Sequence, residues 1–455
     1  MIELEGAPIL TAAGMRAAEA ATGDSEQTLM ARAGAAIATA VHRLAAHHEV
    51  LVACGPGSNG GDGYVAAARL AALGRKVRVA ASGEPRRPAA VAARAEWNGP
   101  VEPLHTARPA PVLVDALFGT GLSRPLTAQD AAALARLAEE AGLVIAVDLP
   151  SGIATDDGAV LSEARADVTL ALGAAKPSHL LLPAAARCGA VRVLDIGVAA
   201  DGPVAGLARP VLHAPAADAH KYSRGMVAMV AGRMPGAAAL ASEAAARLAG
   251  YVLLLGSATD RLPHAVVRRR WSAAALEEAR IGAVVVGPGL GRDEAARERL
   301  DAALASAHPL VIDGDALHLL DLARLRERAA PTILTPHGGE FAALFGTGEG
   351  SRIDRARRAA AESGAVVVFK GGDSVVAHPD GDARVAVARV SWLASAGTGD
   401  VLAGVIGALA AAGHDPFAAA CHGVWLHAEA ARRAGHAFVA DALAAELPGA
   451  VASCL

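Results

Sequence analysis

Between residues 50 and 200, short apolar runs alternate with longer segments in which apolar side chains recur at helical spacing. A leading stretch places Met30, Ala33, Ile37, Val41 and Leu44 on one side of a helix. Runs at 50–54, 76–80, 112–117, 143–149, 167–172 and 191–196 read as strands buried on both faces, with helices at 65–73 and 131–141 between them. That alternation predicts a parallel sheet covered by helices on both sides. Around 199–218 the periodicity gives way to Gly, Pro and Ala, which marks a linker. The pattern then restarts, with strands at 226–231, 251–255, 283–286, 309–313, 331–334 and 365–370 and helices at 237–249, 294–305 and 401–412. Runs 374–377 and 384–388 flank HPDGD and predict a hairpin laid against the main sheet. No motif repeats between the halves, so two different α/β domains are expected, 1–212 and 213–455.

A length of 455 residues exceeds one ordinary core, in keeping with two domains. A hydrophobic share of 53 % is ample for burial, although aromatics supply only 3 % and Ala and Val carry the load. A net charge of −4 gives no electrostatic case for nucleic acid or an anionic membrane. The opening MIELEG lacks the basic-then-apolar order of a signal peptide. No apolar run reaches the roughly 20 residues of a membrane span. Cys54, Cys188, Cys421 and Cys454 show no CxxC spacing, so neither a disulfide framework nor a zinc site is indicated. A soluble cytoplasmic protein acting on small molecules, and a homo-oligomer, is the expectation.

Candidate chemistry gathers where strands end. Gly55-Pro56-Gly57-Ser58-Asn59-Gly60-Gly61-Asp62-Gly63 follows a strand and opens a helix; it formally matches G-x-G-x-x-G. No acid ends the second strand as that dinucleotide fingerprint expects, the nearest being Glu84 in a Pro-rich loop. Asn59 and Asp62 on this turn suggest oxygen ligands for a small molecule or a cation. Asp115 closes VLVDAL ahead of Gly119-Thr120-Gly121-Leu122-Ser123-Arg124-Pro125, and Asp148 closes VIAVDL ahead of Pro150-Ser151-Gly152. Ligands of open parallel sheets collect at such carboxyl ends.

GPGSNGGDG, VDALFGTGL and VDLPSGI, in this order, resemble the NAD(P)H-hydrate epimerase domain along most of residues 1–210. The resemblance implies a Rossmann-like fold and a hydrated nicotinamide nucleotide (NADHX or NADPHX) held by Ser58, Asn59, Gly60, Gly61 and Asp62 and by the loop Gly119 to Pro125. It also implies a potassium ion on Asn59, Asp115 and Ser151, with Asp148 contacting the substrate. Ser58 stands where the family usually has Asn. Epimerising C6 of the hydrated ring needs proton or hydroxide movement at a hemiaminal carbon, which a positioned carboxylate can serve; Asp148 is the candidate.

The second half carries six glycine-bearing turns at strand ends, from GRMPGA at 232–237 through GPGLG at 287–291, DGDAL at 313–317, TPHGGE at 335–340 and KGGDS at 370–374 to AGTGD at 396–400. The last precedes VLAGVIGALAAA, apolar all round as a helix buried on every side is. Glycines before a helix start let several N–H groups face one anion, and the helix dipole adds to the pull. The same positive end favours an ionised Asp400. In order these turns resemble the NAD(P)H-hydrate dehydratase domain, a member of the ribokinase-like superfamily, over about 213–450. By that resemblance Ala237, Gly289, His337 and Asp400 contact the hydrate, and Lys370, Gly371, Gly372, Asp373, Ser374 and Gly399 hold the adenine nucleotide. The donor implied is ADP with a magnesium ion. Departures are Gly314 for a usual Ala, Gly338 for a usual Pro and Ala396 for a usual Gly.

Two three-layer αβα domains are therefore expected in one repair enzyme. Its first half equilibrates R and S hydrates and its second dehydrates the S form. Phosphorylating the C6 hydroxyl makes a good leaving group; ring nitrogen then expels phosphate and loss of the C5 proton restores the dihydropyridine. No GxxxxGK[ST] loop occurs, so a P-loop enzyme is not indicated. Rival readings are a small-molecule kinase, a nicotinamide-dependent dehydrogenase and a nucleotide-sensing scaffold.

Overall fold

A computed structural model describes residues 2–257 and 262–455. The chain divides into two compact units, Met1–Gly206 and Leu207–Leu455, parting inside the Gly/Pro/Ala stretch.

In the first unit β1 (Val50–Cys54), β2 (Val77–Ala81), β3 (Val101–Pro103), β4 (Val112–Ala116), β5 (Leu143–Val147), β6 (Val168–Leu172) and β7 (Ala190–Leu194) form a parallel sheet ordered β3-β2-β1-β4-β5-β6-β7. The order reverses between β1 and β4, so a crevice opens at their carboxyl ends. One face is covered by α2 (Glu26–Leu44) and α3 (Ser58–Ala72), the other by α5 (Ala128–Glu140). β1 and β5 run apolar at every position because both faces are covered; β1 is buried throughout. A leading helix α1 (Ala12–Ala21), α4 (Pro88–Glu96) and β3 were not foreseen, being short and nearly all Ala or edge positions. A short β8 (Val204–Gly206) runs against the opening segment, with Ile9 N–H donating to Val204 O.

The glycine cluster is less a loop than foreseen. Helix α3 already starts at Ser58, so Asn59 to Gly63 lie in its first turns. The glycines serve close packing: a Cβ on Gly60 would lie 1.8 Å from Gly55 O, and one on Gly55 1.8 Å from Leu117 O. No phosphate cradle is needed to explain them.

The second unit has β9 (Met226–Val230), β10 (Tyr251–Leu255), β11 (Val266–Arg269), β12 (Ala283–Val286), β13 (Leu310–Ile312), β14 (Thr332–Leu334), β15 (Val366–Phe369), β16 (Val375–Ala377) and β17 (Ala383–Val385), ordered β11-β10-β9-β12-β13-β14-β15-β16-β17. All pairs are parallel except the final hairpin, which lies antiparallel against β15 as expected. Helices α6 (Pro235–Ala246), α7 (Glu294–Ala305), α10 (Gly338–Phe345), α11 (Arg352–Ser363), α12 (Thr398–Ala411), α13 (Pro416–Ala434) and α14 (Ala440–Ala452) follow, with the shorter α8 (Asp315–Leu319) and α9 (Leu322–Arg326) between. Val401 to Ala410 of α12 are buried without a break, as the all-apolar pattern requires. Glycines bring it close: a Cβ on Gly404 would lie 2.1 Å from Ala241 O of α6, and one on Gly407 2.3 Å from Val285 of β12. Among the described residues, no helix is long and apolar enough to cross a membrane.

Candidate active sites at two strand-end crevices

In the first unit a cavity of about 650 Å³ opens beside the ends of β1, β5 and β6, its wall including Asn59, Asp62, Thr120, Asp148 and Lys176. Asp148 is the first residue past β5 and has φ +65°, a strained setting for a residue with a Cβ. Its backbone is pinned. His179 Nδ1 accepts from Lys176 N–H, so Nε2 carries the proton and donates to Asp148 O at 2.7 Å. Burial drives the His179 pKa down to about 4, keeping that ring neutral.

The Asp148 carboxylate is fully engaged. Oδ1 meets Lys176 Nζ at 2.5 Å; Oδ2 accepts from Thr120 N–H at 2.9 Å and Thr120 Oγ1 at 2.5 Å. Burial opposes its ionisation, but the Lys176 ammonium and these hydrogen bonds prevail and hold its pKa at about 2. Asp62 is the converse. Burial first, then the charge of Asp148, raises it well above the carboxylate range. Glu19, also on the cavity wall, is raised by burial.

Deeper in, Asp115 Oδ2 accepts from Ser151 N–H at 2.8 Å and Oδ1 from Ser151 Oγ at 2.6 Å. Ser151 Oγ also accepts from Phe118 N–H, tying the loop after β4 to that after β5. Asn59 Nδ2 is buried without a partner, and Asn59 Oδ1 lies 2.9 Å from where a Gly119 Cβ would be.

In the second unit the ends of β13, β14 and β15 meet the start of α12. Asp313 Oδ1 accepts from Lys370 Nζ at 2.5 Å and from Thr335 Oγ1 at 2.7 Å. Lys370 Nζ lies 3.3 Å from where a Gly399 Cβ would be, which sets an ammonium at the positive end of a helix. Alone, an ammonium there would be unfavourable; the Asp313 carboxylate offsets it. The α12 N-cap Gly397 has φ +87°, a conformation that suits glycine, and His427 Nε2 donates to Thr398 O at 2.8 Å. Asp400 in the first turn is pushed up to about 7, by burial first and then by Asp313. The helix end favours an ionised Asp400, but loss of water and a neighbouring carboxylate outweigh the dipole.

Two family models match, one on each unit: YjeF-related protein N-terminus over residues 26–178 and NAD(P)H-hydrate dehydratase over 227–450. The bifunctional NAD(P)H-hydrate repair enzyme Nnr of Mycobacterium leprae is 38 % identical over 404 residues, covering 84 % of this chain and 82 % of that one. Its namesake from Thermofilum pendens is 34 % identical over 461 residues, covering 89 % and 87 %. The chain belongs to the bifunctional NAD(P)H-hydrate repair enzymes. A solved Bacillus subtilis ADP/ATP-dependent NAD(P)H-hydrate dehydratase, co-crystallised with ATP/Mg2+, is 29 % identical and covers 54 % of this chain and 95 % of that one, with a TM-score of 0.47.

For a member of this family, the residues singled out from the sequence divide clearly. Ser58, Asn59, Asp62, Thr120, Gly121 and Asp148 line the first cavity, whereas Leu122, Ser123, Arg124 and Pro125 do not. Ser123, Arg124 and Pro125 are exposed. Gly60 and Gly61 are buried in helix packing, a Cβ on Gly61 meeting Met30 Sδ at 2.5 Å. Ser58 Oγ donates to Glu26 Oε1 at 2.8 Å. Ala237 and Gly289 adjoin, a Cβ on Gly289 falling 3.0 Å from that of Ala237. His337 caps α10: Nδ1 accepts from Gly339 and Glu340 N–H while Glu340 accepts from His337 N–H. Gly371 to Ser374 form a tight turn closed by Gly371 N–H to Ser374 Oγ, and Asp373 sits 3.3 Å from Arg352 Nε. Lys176 and Asp313 were missed as site residues; Lys176 lies in the featureless run AAKPSH.

Proposed function

We propose that the first unit interconverts the R and S hydrates of NADH and NADPH, and that the second returns the S hydrate to the reduced cofactor with ADP, giving AMP and phosphate. The reading rests above all on two family models falling separately on two units, within relatives named bifunctional NAD(P)H-hydrate repair enzymes.

In the first unit, Asp148 stays ionised and faces the C6 carbon, so positive charge that develops on N1 and C6 as the hydroxyl departs is stabilised beside it. With its pKa near 2 it is a poor base, so proton transfer falls to another group. The donor set Asn59, Asp115 and Ser151 is all oxygen once the unpartnered Asn59 amide turns its carbonyl inward, and the buried Asp115 has no cationic partner among the described residues. These residues suit a potassium ion, whose charge offsets that burial. In the second unit, Ala237, Gly289 and His337 hold the hydrate and Asp400 takes the C6 hydroxyl proton. Lys370 and the α12 amides hold the diphosphate, with Gly371 to Ser374 and Gly399 nearby. A magnesium ion accompanies the ADP and shields its charge.

Separated hydrate epimers supplied with ADP test the reading. Absorbance of the restored dihydropyridine should return at once from S and after interconversion from R. Asp148→Asn should abolish only the R route and Asp400→Asn both. A phosphorylated product that accumulates without restored absorbance points to the kinase alternative.

A further inference from the structure

We infer that Lys176 is the catalytic acid of the first cavity. The inference rests on the epimerase reading of that unit. Lys176 is 1 % exposed yet forms part of the cavity wall. Its ammonium carries three N–H donors. Two have acceptors, Asp148 Oδ1 at 2.5 Å and Leu172 O at 2.7 Å, which leaves one donor for a ligand in the cavity. The backbone on either side is fixed, since Lys176 N–H donates to His179 Nδ1 and Pro177 opens a helical turn. A salt bridge alone has no need to stand at a ligand cavity beside a strained strand end.

The step balances. Lys176 gives a proton to the C6 hydroxyl; the C6–O bond breaks, water leaves and the N1 lone pair forms N1=C6. Positive charge thus moves from Lys176 to the ring while staying beside the Asp148 carboxylate, so little charge is separated. Water then adds to the opposite face of C6 and gives its proton to solvent at the cavity mouth, and Lys176 takes one back. No oxidant or reductant enters.

The test uses the full chain, with dehydration of pure S hydrate by the second unit as an internal control for folding and expression. Lys176→Ala should cut R-to-S interconversion, above the uncatalysed rate, by about 10²–10⁴-fold, with S dehydration unchanged. Added primary alkylamines of graded pKa should restore interconversion, at a rate that depends on amine pKa. Lys176→Arg, which keeps the charge opposite Asp148 but holds its proton too tightly, should stay slow. Lys176→Ala within about fivefold of wild type, or rescue independent of amine pKa, overturns the assignment and leaves Lys176 a structural partner of Asp148. A wild type that does not interconvert the epimers overturns the epimerase reading itself, and the assignment with it.

Discussion

Asp148 and Asp400 sit at the carboxyl edges of two similar sheets, each beside a buried Lys–Asp pair, yet they are tuned in opposite directions. Asp148 is a member of its pair, so the Lys176 ammonium is spent on it and its pKa lies near 2. Asp400 is outside its pair: Lys370 bonds to Asp313, and burial first, then the Asp313 carboxylate, push Asp400 up to about 7. The same two residue types thus make a fixed anion in one crevice and a group poised to accept a proton in the other. Which carboxylate owns the lysine decides the chemistry.

The sharpest way to break this comparison is to remove each acid. Asp400→Asn should lower dehydration of S hydrate by about 10²–10⁴-fold while leaving interconversion intact, and Asp148→Asn should do the reverse. Loss of R-to-S interconversion in Asp400→Asn, followed directly by separating the epimers without ADP, or loss of S dehydration in Asp148→Asn, refutes the division of labour. Next in size is a packing test. Gly60→Ala forces a Cβ to 1.8 Å from Gly55 O, so denaturant melts should show the first unit destabilised by roughly 1–3 kcal/mol or more. Gly57→Ala, which meets nothing within 4 Å, is the matched control.

The pH profiles sharpen the contrast. A base must be ionised to act, so kcat/KM for dehydration should rise with pH and level off above about 7, falling tenfold per unit below. Asp313 contributes to raising Asp400, so Asp313→Asn should move that midpoint to lower pH. The smallest effect is an absence of change. Interconversion should show no acid limb from Asp148 between pH 5 and 8, because its carboxylate is held ionised far below that window. A wild-type acid limb with its midpoint inside that window would count against control of Asp148 by the lysine.

Much of this was readable in the chain. Uninterrupted apolar runs such as 50–54 and 283–286 predict doubly covered strands because burial on both faces leaves no polar position. The all-apolar 401–412 segment, likewise, is a central helix. Glycine turns at strand ends located both crevices. Short or Ala-rich elements such as α1, β3 and β11 carry too little periodicity to read, and the exposed end of the Gly119–Pro125 loop looks no different in sequence from the part that reaches the cavity.

Sequence alone determined the two sheets, the family and which acids stand at strand ends, since these follow from local pattern and motif. Tertiary structure decided the state of each acid. Lys176 and Asp148 are 28 residues apart and Lys370 and Asp313 57 apart, and a pKa in a dry crevice is set by the charges and hydrogen bonds within a few ångströms, which only the folded chain assembles.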